Sequence, residues 1–374
     1  MRVIHATRRR TLPMTLAAGV AALALAAAGC GDDDDNGGGS AASGDGEAGK
    51  VAVLLPDSKS SVRWETVDRP FLKAAFDEAG VESEIQNAEG DKSAQQQQAE
   101  QAITNGAKVL LMVNLDSGSG AAIAANAKSQ GVKVIDYDRL TLNGDSDYYV
   151  SFDNEEVGRL QGQGLVECLE GASGKPAVAV LNGSPTDNNA TLFKKGYDSV
   201  INPKFQSGEW TEVADQSVPD WDNQRALTIF EQMLQRANNN IDGVLAANDG
   251  LGNAAISALK QRKLDQIPVT GQDATLQGIQ NIVNGDQCMT VYKAIKKEAD
   301  AAAALAVALA KGDEPTGVTG SVNNEKKDVP AVLLKPVAVT KDNIREYLGE
   351  PDFPKQEEIC AGELASKCEA AGLT

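Results

Sequence analysis

Three charges in four residues, Asp136, Asp138 and Arg139, stand where an apolar run at 132–135 stops. In an open α/β sheet, strand ends of this kind are where ligands sit. Asp138 and Arg139 could simply pair on a surface, an interaction worth little; their place behind a buried strand argues for a site. Two further opposite charges, Asp273 and Lys293, stand at the ends of the runs 268–271 and 289–292. Asn248 and Asp249 follow the run 243–246, and Asp187, Asn188 and Asn189 precede a helical stretch. Any of these five could cap the helix that follows it; we assign Asn248 and Asn189 to the site and Asp249 to the structure. Asp57, after the first strand, is a weaker candidate.

Holding a ligand, rather than turning it over, is the chemistry these groups suit. Paired carboxylates can do hydrolytic acid–base work, as in a glycosidase, but here the acids have basic partners, which works against the raised pKa of a general acid. His5 is the one histidine and lies in the leader. There is no nucleophile elbow, P-loop or metal-ligand spacing, so neither an enzyme nor a metal or cofactor is expected.

Elements must position these groups. From Lys50 the chain repeats one unit: apolar runs at 51–55, 82–86, 109–113 and 132–135 alternate with helical stretches that end near Gly80, Gly106 and Gly131. A glycine just past a helix takes positive φ at little cost. After a strand at 148–152, Asp153 and Asn154 can cap a helix over 155–169. The second series then predicts strands at 177–181, 209–213, 243–246, 268–271 and 289–292, with helices at 189–201, 223–237, 251–261 and 276–283. The alanine-rich stretch 295–311 reads as a core helix, and 332–334 and 337–339, split by Pro336, as a last crossing. Such alternation implies parallel sheets covered on both faces. The expected fold is α/β: two doubly wound parallel-sheet lobes joined by a multi-strand hinge, with crossings near Phe152, Lys293 and Lys335.

The chain opens on a targeting segment. Arg8, Arg9 and Arg10 precede an apolar run at 16–28 that is too short for a stable bilayer span. It ends Ala27-Ala28-Gly29-Cys30, which resembles a bacterial lipoprotein signal, although Ala27 stands where Leu is usual. A plain secretory leader is the alternative; a lipidated Cys30 would anchor the chain without a spanning helix. Residues 31–49 have almost no apolar mass and read as a flexible tether, with the aspartates at 32–35 a solvated run. Loss of the leader's four basic residues takes the formal charge from −18 to −22, a surface that disfavours nucleic acid and anionic lipid.

The segments YDR (137–139), YYVSFDNEEVG (148–158), GSPTDNNATLF (183–193), AAND (246–249), TGQDA (270–274) and MTVYK (289–293) resemble the sugar-binding periplasmic proteins of bacterial ABC importers, in the D-xylose-binding branch of the ribose/galactose-type family. Order and spacing match from Lys50 to about Tyr347. The resemblance implies a monomeric, two-lobed protein outside the cytoplasm that closes over one pyranose and hands it to an ABC permease. It puts ligand contacts at Arg63, Trp64, Asp138, Arg139, Asn189, Trp221, Asn248, Asp273 and Lys293. Charged planar groups suit vicinal hydroxyls through charge-assisted bonds, and the two tryptophans suit the C–H faces of the ring, whereas Trp210 is left structural. Pro70 reads as the first residue of a helix that starts beyond Arg63 and Trp64. The alternative reading is a glucose- or arabinose-type binder, or a sensor presenting sugar to a receptor.

The expected division is a leader, 1–29; a linker, 30–49; a first lobe, 50–152 with 294–334; a second lobe, 153–293 with 335–349; and a tail, 350–374, with no assigned role. With Cys30 assigned to lipid, four cysteines remain, which suits an oxidising compartment. Three pairings are possible; the favoured one joins Cys360 to Cys368 and Cys168 to Cys288, and free buried thiols are the alternative.

Overall fold

The computed structural model describes residues 48–264 and 266–373. The leader, most of the linker and the lipidation assignment at Cys30 lie outside the described residues.

Most βα units join a short, buried, largely apolar run to a helix with a side-chain N-cap. In chain order the units are β1 (Lys50–Leu55), α1 (Arg69–Glu78), β2 (Ser83–Asn87), α2 (Lys92–Thr104), β3 (Ala107–Met112), α3 (Ser117–Ser129), β4 (Lys133–Tyr137) and β5 (Tyr148–Phe152). Then come α4 (Asn154–Cys168), β6 (Ala177–Asn182), α5 (Asn188–Gln206), β7 (Thr211–Ser217), α6 (Asn223–Arg236), β8 (Gly243–Ala246), α7 (Asp249–Gln261), α8 (Leu276–Asn284), β9 (Met289–Tyr292) and α9 (Ile295–Lys311). β10 (Gly320–Asn323), β11 (Asp328–Leu334), β12 (Val337–Thr340), α10 (Gln356–Ile359) and α11 (Ala365–Ala370) complete the chain. Asp91, Asp116, Asp153, Asp187, Asp222, Asn248 and Thr275 each cap the next helix by accepting from its first-turn amides, the contact that satisfies otherwise orphaned donors.

One sheet has seven strands in the order β10-β11-β5-β4-β3-β1-β2, all parallel except the β10–β11 pair. One face is packed by α1 and α9, whose Leu72, Phe76, Ala302 and Leu305 meet Val51, Val53, Val109 and Leu111. The other is packed by α2 and α3 through Ala99, Ala102, Ile123 and Ala127. A second, three-stranded parallel sheet, β7-β6-β8, shares one core with α4 to α7, among them Val157, Phe193, Tyr197, Phe230 and Leu251. β9 and β12 form an antiparallel pair. The chain passes between the two sheet systems three times: from β5 to α4, from β9 to α9 and from β11 to β12.

Three expectations change. The run 268–271 is not a ladder strand; only Val269 bridges, to Val244. Pro268 has no N–H to give, and the Thr270 hydroxyl takes the Ala246 amide instead. The segment then bonds β9, through Val291 N to Gly271 O and Asp273 N to Val291 O. β4 runs two residues further than 132–135, so Asp136 is buried inside a strand, where it accepts from Thr141 N, Thr141 Oγ1 and Ser146 Oγ. β10, polar and mostly exposed, carries no apolar alternation that would have announced it. Trp210 precedes β7 and packs edge-on against Phe205 with ring centroids 6.1 Å apart.

The tail is docked. Phe353, Ile359, Cys368 and Leu373 join Ile279, Ile282, Val283 and Tyr292 in one apolar cluster, and Asp352 accepts from Tyr292 Oη at 2.6 Å and from the Lys296 amide at 3.1 Å. Cys360 and Cys368 are joined with Cα atoms 5.7 Å apart, and Cys168 and Cys288 with Cα atoms 6.3 Å apart. Among the described residues, no helix is long and apolar enough to cross a membrane.

Phe353→Ala should lower unfolding stability by about 3–5 kcal/mol, as a large-to-small change in a packed cluster does; a urea midpoint equal to the parent's refutes the docking. Peptide mapping without reductant should recover two cystine-linked peptides, and alkylated Cys168 or Cys360 would break the corresponding pair.

Candidate functional site

All nine residues named from the sequence line one chamber of about 30 Å³ between the two sheet systems. A wider outer chamber of about 210 Å³ adjoins it and shares Ser60, Arg139, Asp187 and Trp221.

Arg63 is the most engaged side chain. It lies after β1, at the head of a wide π-helical turn, Trp64–Asp68, that runs into α1, where Pro70 occupies the first turn. Its Nε and Nη2 donate to Asp68, both at 2.9 Å, Nη1 donates to Asp138 at 3.1 Å, and Nη2 donates to Glu298 at 3.1 Å. Tyr137 Oη donates to Asp68 at 2.7 Å. The guanidinium also lies 4.2 Å from the centroid of the Trp64 ring, with that of Arg139 at 5.6 Å, so the indole face is a cation platform. Trp64 Nε1 donates to Ser60 Oγ at 3.2 Å.

Asp138 ties both halves together. Its Oδ1 accepts from Asn189 Nδ2 at 3.0 Å, and its Oδ2 receives Arg63 and, at 3.5 Å, Lys293. Its backbone oxygen accepts from Tyr149 Oη, Ser151 Oγ and Asn189 Nδ2. Asn189 is free for this because Asp187 is the residue that caps α5. Asp138 and Arg139 do not pair with each other: Arg139 Nε meets Asp187 Oδ2 at 3.0 Å, and Trp221 Nε1 donates to the same oxygen at 3.0 Å. Lys293 stands 3.6 Å from Asp273. Asn248 caps α7 with its Oδ1, leaving Nδ2 as the group available to the chamber. Asp249 is structural: it accepts from Thr275, Gln287 and Thr290 and lines no part of the chamber.

Backbone strain collects here. Asp138, Trp221 and Asp273 have φ of 61°, 55° and 102°, values that cost free energy for residues with a Cβ and persist where surroundings impose them. Gly183 is needed because any Cβ there would run into the Trp221 ring.

Several chamber residues carried no clear signal in the sequence. In the sequence Asp187 reads only as a helix cap, and Gln272, Phe193, Ser60 and Ser61 have no distinguishing spacing or charge. Behind the chamber, Asp68 and Glu298 complete the shell around Arg63. Glu298 falls on the buried stripe of α9 between Ile295 and Ala302, and a lone acid on an apolar helix face was the available clue. Asp57 lines only the outer chamber, and its carboxylate is occupied by Lys59 N, Ser60 N and Ser60 Oγ.

Burial raises carboxylates, and charge decides the exceptions. Burial would push Asp138 up, but Lys293, Arg63 and Arg139 overcome it and hold its carboxyl at about 2. Burial raises Glu298 well above the usual range, and the neighbouring Asp138 charge adds to this against Arg63. Burial also raises Asp273; Lys293, shared with Asp138, does not fully offset it. Outside the chamber, burial puts Asp136 and Asp249 at about 6 despite their hydrogen-bond donors. Among the described residues, no group of His, Cys, Asp and Glu side chains could hold a metal ion.

The family described as the periplasmic binding protein domain matches residues 51–314. The chain is 41% identical over 298 residues to the D-xylose-binding periplasmic protein of Haemophilus influenzae, covering 79% of this chain and 88% of that one. It is 38% identical over 311 residues to the D-xylose-binding periplasmic protein of Escherichia coli, covering 83% and 92%. Among solved structures it is similar to a carbohydrate transporter solute binding protein from Chloroflexus aurantiacus in complex with D-glucose, with a TM-score of 0.74, 32% identity, and coverage of 81% of this chain and 98% of that one.

A pH dependence follows from the buried acids. Asp136 and Asp249 keep their protons to about pH 6 in the folded chain, against about 4 for an unfolded aspartate. The folded state therefore binds more protons across that window, and stability falls as pH rises through it. Glu298 acts in the same direction. Asp138 acts oppositely, and its contribution is lost only as pH falls toward 2. Urea midpoints should be higher at pH 5 than at pH 7; the reverse order would overturn these assignments.

Proposed function

The chain belongs to the periplasmic binding protein family, and from that premise we propose that its chamber takes one neutral monosaccharide, D-xylose first, between two closing lobes. The protein is a sugar-binding, extracytoplasmic component of an ABC importer and not an enzyme. One observation carries the ligand reading: donors and acceptors from both sheet systems converge with two tryptophans on a single chamber, Arg63, Trp64, Asp138 and Arg139 from one side and Asn189, Trp221, Asn248 and Asp273 from the other, with Lys293 at a crossing.

The chemistry suits a sugar better than an ion. Every cation at the chamber already faces a carboxylate: Arg63 faces Asp138, Arg139 faces Asp187, and Lys293 faces Asp138 and Asp273. A net-charged ligand would leave one member of such a pair buried and unmatched, which is costly. A hydroxyl both donates and accepts, so a ring of hydroxyls adds bonds to these pairs without displacing charge. Trp221, and the part of the Trp64 ring that Arg63 and Arg139 leave open, supply cover for the C–H faces of the ring.

Binding couples to closure. The lobes in this proposal are 50–152 with 294–334 and 153–293 with 335–349, and the three crossings form the hinge. Arg139–Asp187 and Asn189–Asp138 bridge the two sides, and a ligand shifts the population only through contacts made in the closed state. In this reading the protein is a monomer, held at the outer face of the membrane by a lipidated Cys30. Glucose is the second reading, favoured by the D-glucose in the Chloroflexus aurantiacus relative and by the outer chamber, which offers room beyond the inner one.

Calorimetric titration with a panel of pentoses and hexoses should give its largest affinity for D-xylose; no heat with any sugar overturns the function, and glucose binding more tightly favours the second reading. Asp273→Ala and Asp138→Ala should each weaken binding by about a hundredfold or more, since each leaves a buried cation short of its partner. Parent-like affinity in both variants would sink the site.

A further inference from the structure

We propose that Gln272 is a ligand-contacting, specificity-determining residue whose side-chain oxygen accepts a hydrogen bond from one sugar hydroxyl; this rests on the sugar-binding reading above.

Gln272 is 3% exposed and lines the inner chamber. Its main-chain oxygen is already used by the Asp249 amide at 2.9 Å. Its side-chain nitrogen donates to Asp273 Oδ1. That bond sets the amide's orientation: a carboxylate only accepts, so nitrogen must face it and oxygen must face away. The oxygen, Oε1, is buried and has no protein partner among the described residues.

Other buried side chains also have an unpartnered atom, including Asn154, Gln161, Gln287 and Glu298, but none of these lines the inner chamber. Gln272 is the residue at which an orphaned acceptor and the chamber coincide. The neighbouring backbone supports its placement. Asp273 and Ala274 are both at positive φ, 102° and 49°, a strained turn that follows directly on Gln272. An acceptor buried without a donor is costly, and the cost ends when a donor arrives.

The consequence is selective. Arg63, Arg139, Lys293 and the Asn248 nitrogen can only donate, and the chamber's other acceptors, Asp138, Asp187 and Asp273, are carboxylates that already face those cations. Gln272 Oε1 can only accept and is neutral, so it demands a hydroxyl as donor at one ring position and gains nothing from an ether or a deoxy carbon there. A site built to bond a hydroxyl rejects the analogue that lacks it far more strongly than an apolar pocket rejects an extra methylene.

The test is calorimetry of the full chain with D-xylose and each of its monodeoxy analogues, on the parent protein and on Gln272→Met, which keeps length and removes both polar atoms. Gln272→Leu serves as a second variant should the first fail to fold, checked by its melting curve. D-xylose should bind the variant about tenfold to a hundredfold more weakly, the range for one lost partner at a buried polar atom. That penalty should vanish for a single deoxy analogue and persist for the others. An equal loss with every analogue, or no loss with D-xylose, overturns the role of Gln272 while leaving sugar binding intact. A parent protein that binds no sugar overturns both.

Discussion

Asp138 and its two cations, Arg63 and Lys293, are the interaction on which the rest depends. Isolated ions in a protein interior are costly, and a buried ion pair stabilises only when its remaining donors and acceptors are also met. Here most are: Asp68 and Glu298 take the other edges of the Arg63 guanidinium, Tyr137 supports Asp68, and Asn189 takes the free oxygen of Asp138. The network couples the end of β4, the start of α5, the turn before α1 and the crossing after β9. Its geometry therefore holds only when the two sheet systems stand in one particular relation.

That dependence explains why strain is tolerated where it is. Left-handed backbone at Asp138, Trp221 and Asp273 brings three chain turns inward at once. None of the three would be stable in an isolated loop. Each is held by what lies around it: Asp138 by Tyr149, Ser151 and Asn189, Trp221 by Asp187 and by the space left at Gly183, and Asp273 by its bond to Val291. Strain of this kind belongs with pre-organisation, since the polar groups are aimed before a ligand needs them.

The docked tail and the joined cysteines act on the same region from outside. Asp352 fastens both Tyr292 and the Lys296 amide, on either side of Lys293. Cys168 to Cys288 ties α4 to the residue just before β9. β9, which leads into Lys293, is thus braced at both ends.

Local pattern in the sequence determined most of the strands and helices, many of their glycine and side-chain caps, and the parallel α/β class, because burial on two faces and capping are read within a few residues of chain. It also placed Asp138, Arg139, Asn248 and Lys293 at or just beyond strand ends, and so they were legible as site candidates; Asp273 was legible from its charge opposite to Lys293 at the end of the run 268–271, and Arg63, Trp64 and Trp221 through motif resemblance. What only the tertiary structure decided was partnership. Asp138 and Arg139 are neighbours in the chain yet bond Arg63 and Asp187, 75 and 48 positions away. Asp68, Glu298 and Gln272 gained their places from packing, and the run 268–271 was denied its ladder by a proline and a threonine hydroxyl. Periodicity and capping are short-range and survive in a one-dimensional string. Charge pairing and orphaned acceptors depend on which side chains meet across a cleft, and no local pattern encodes that meeting.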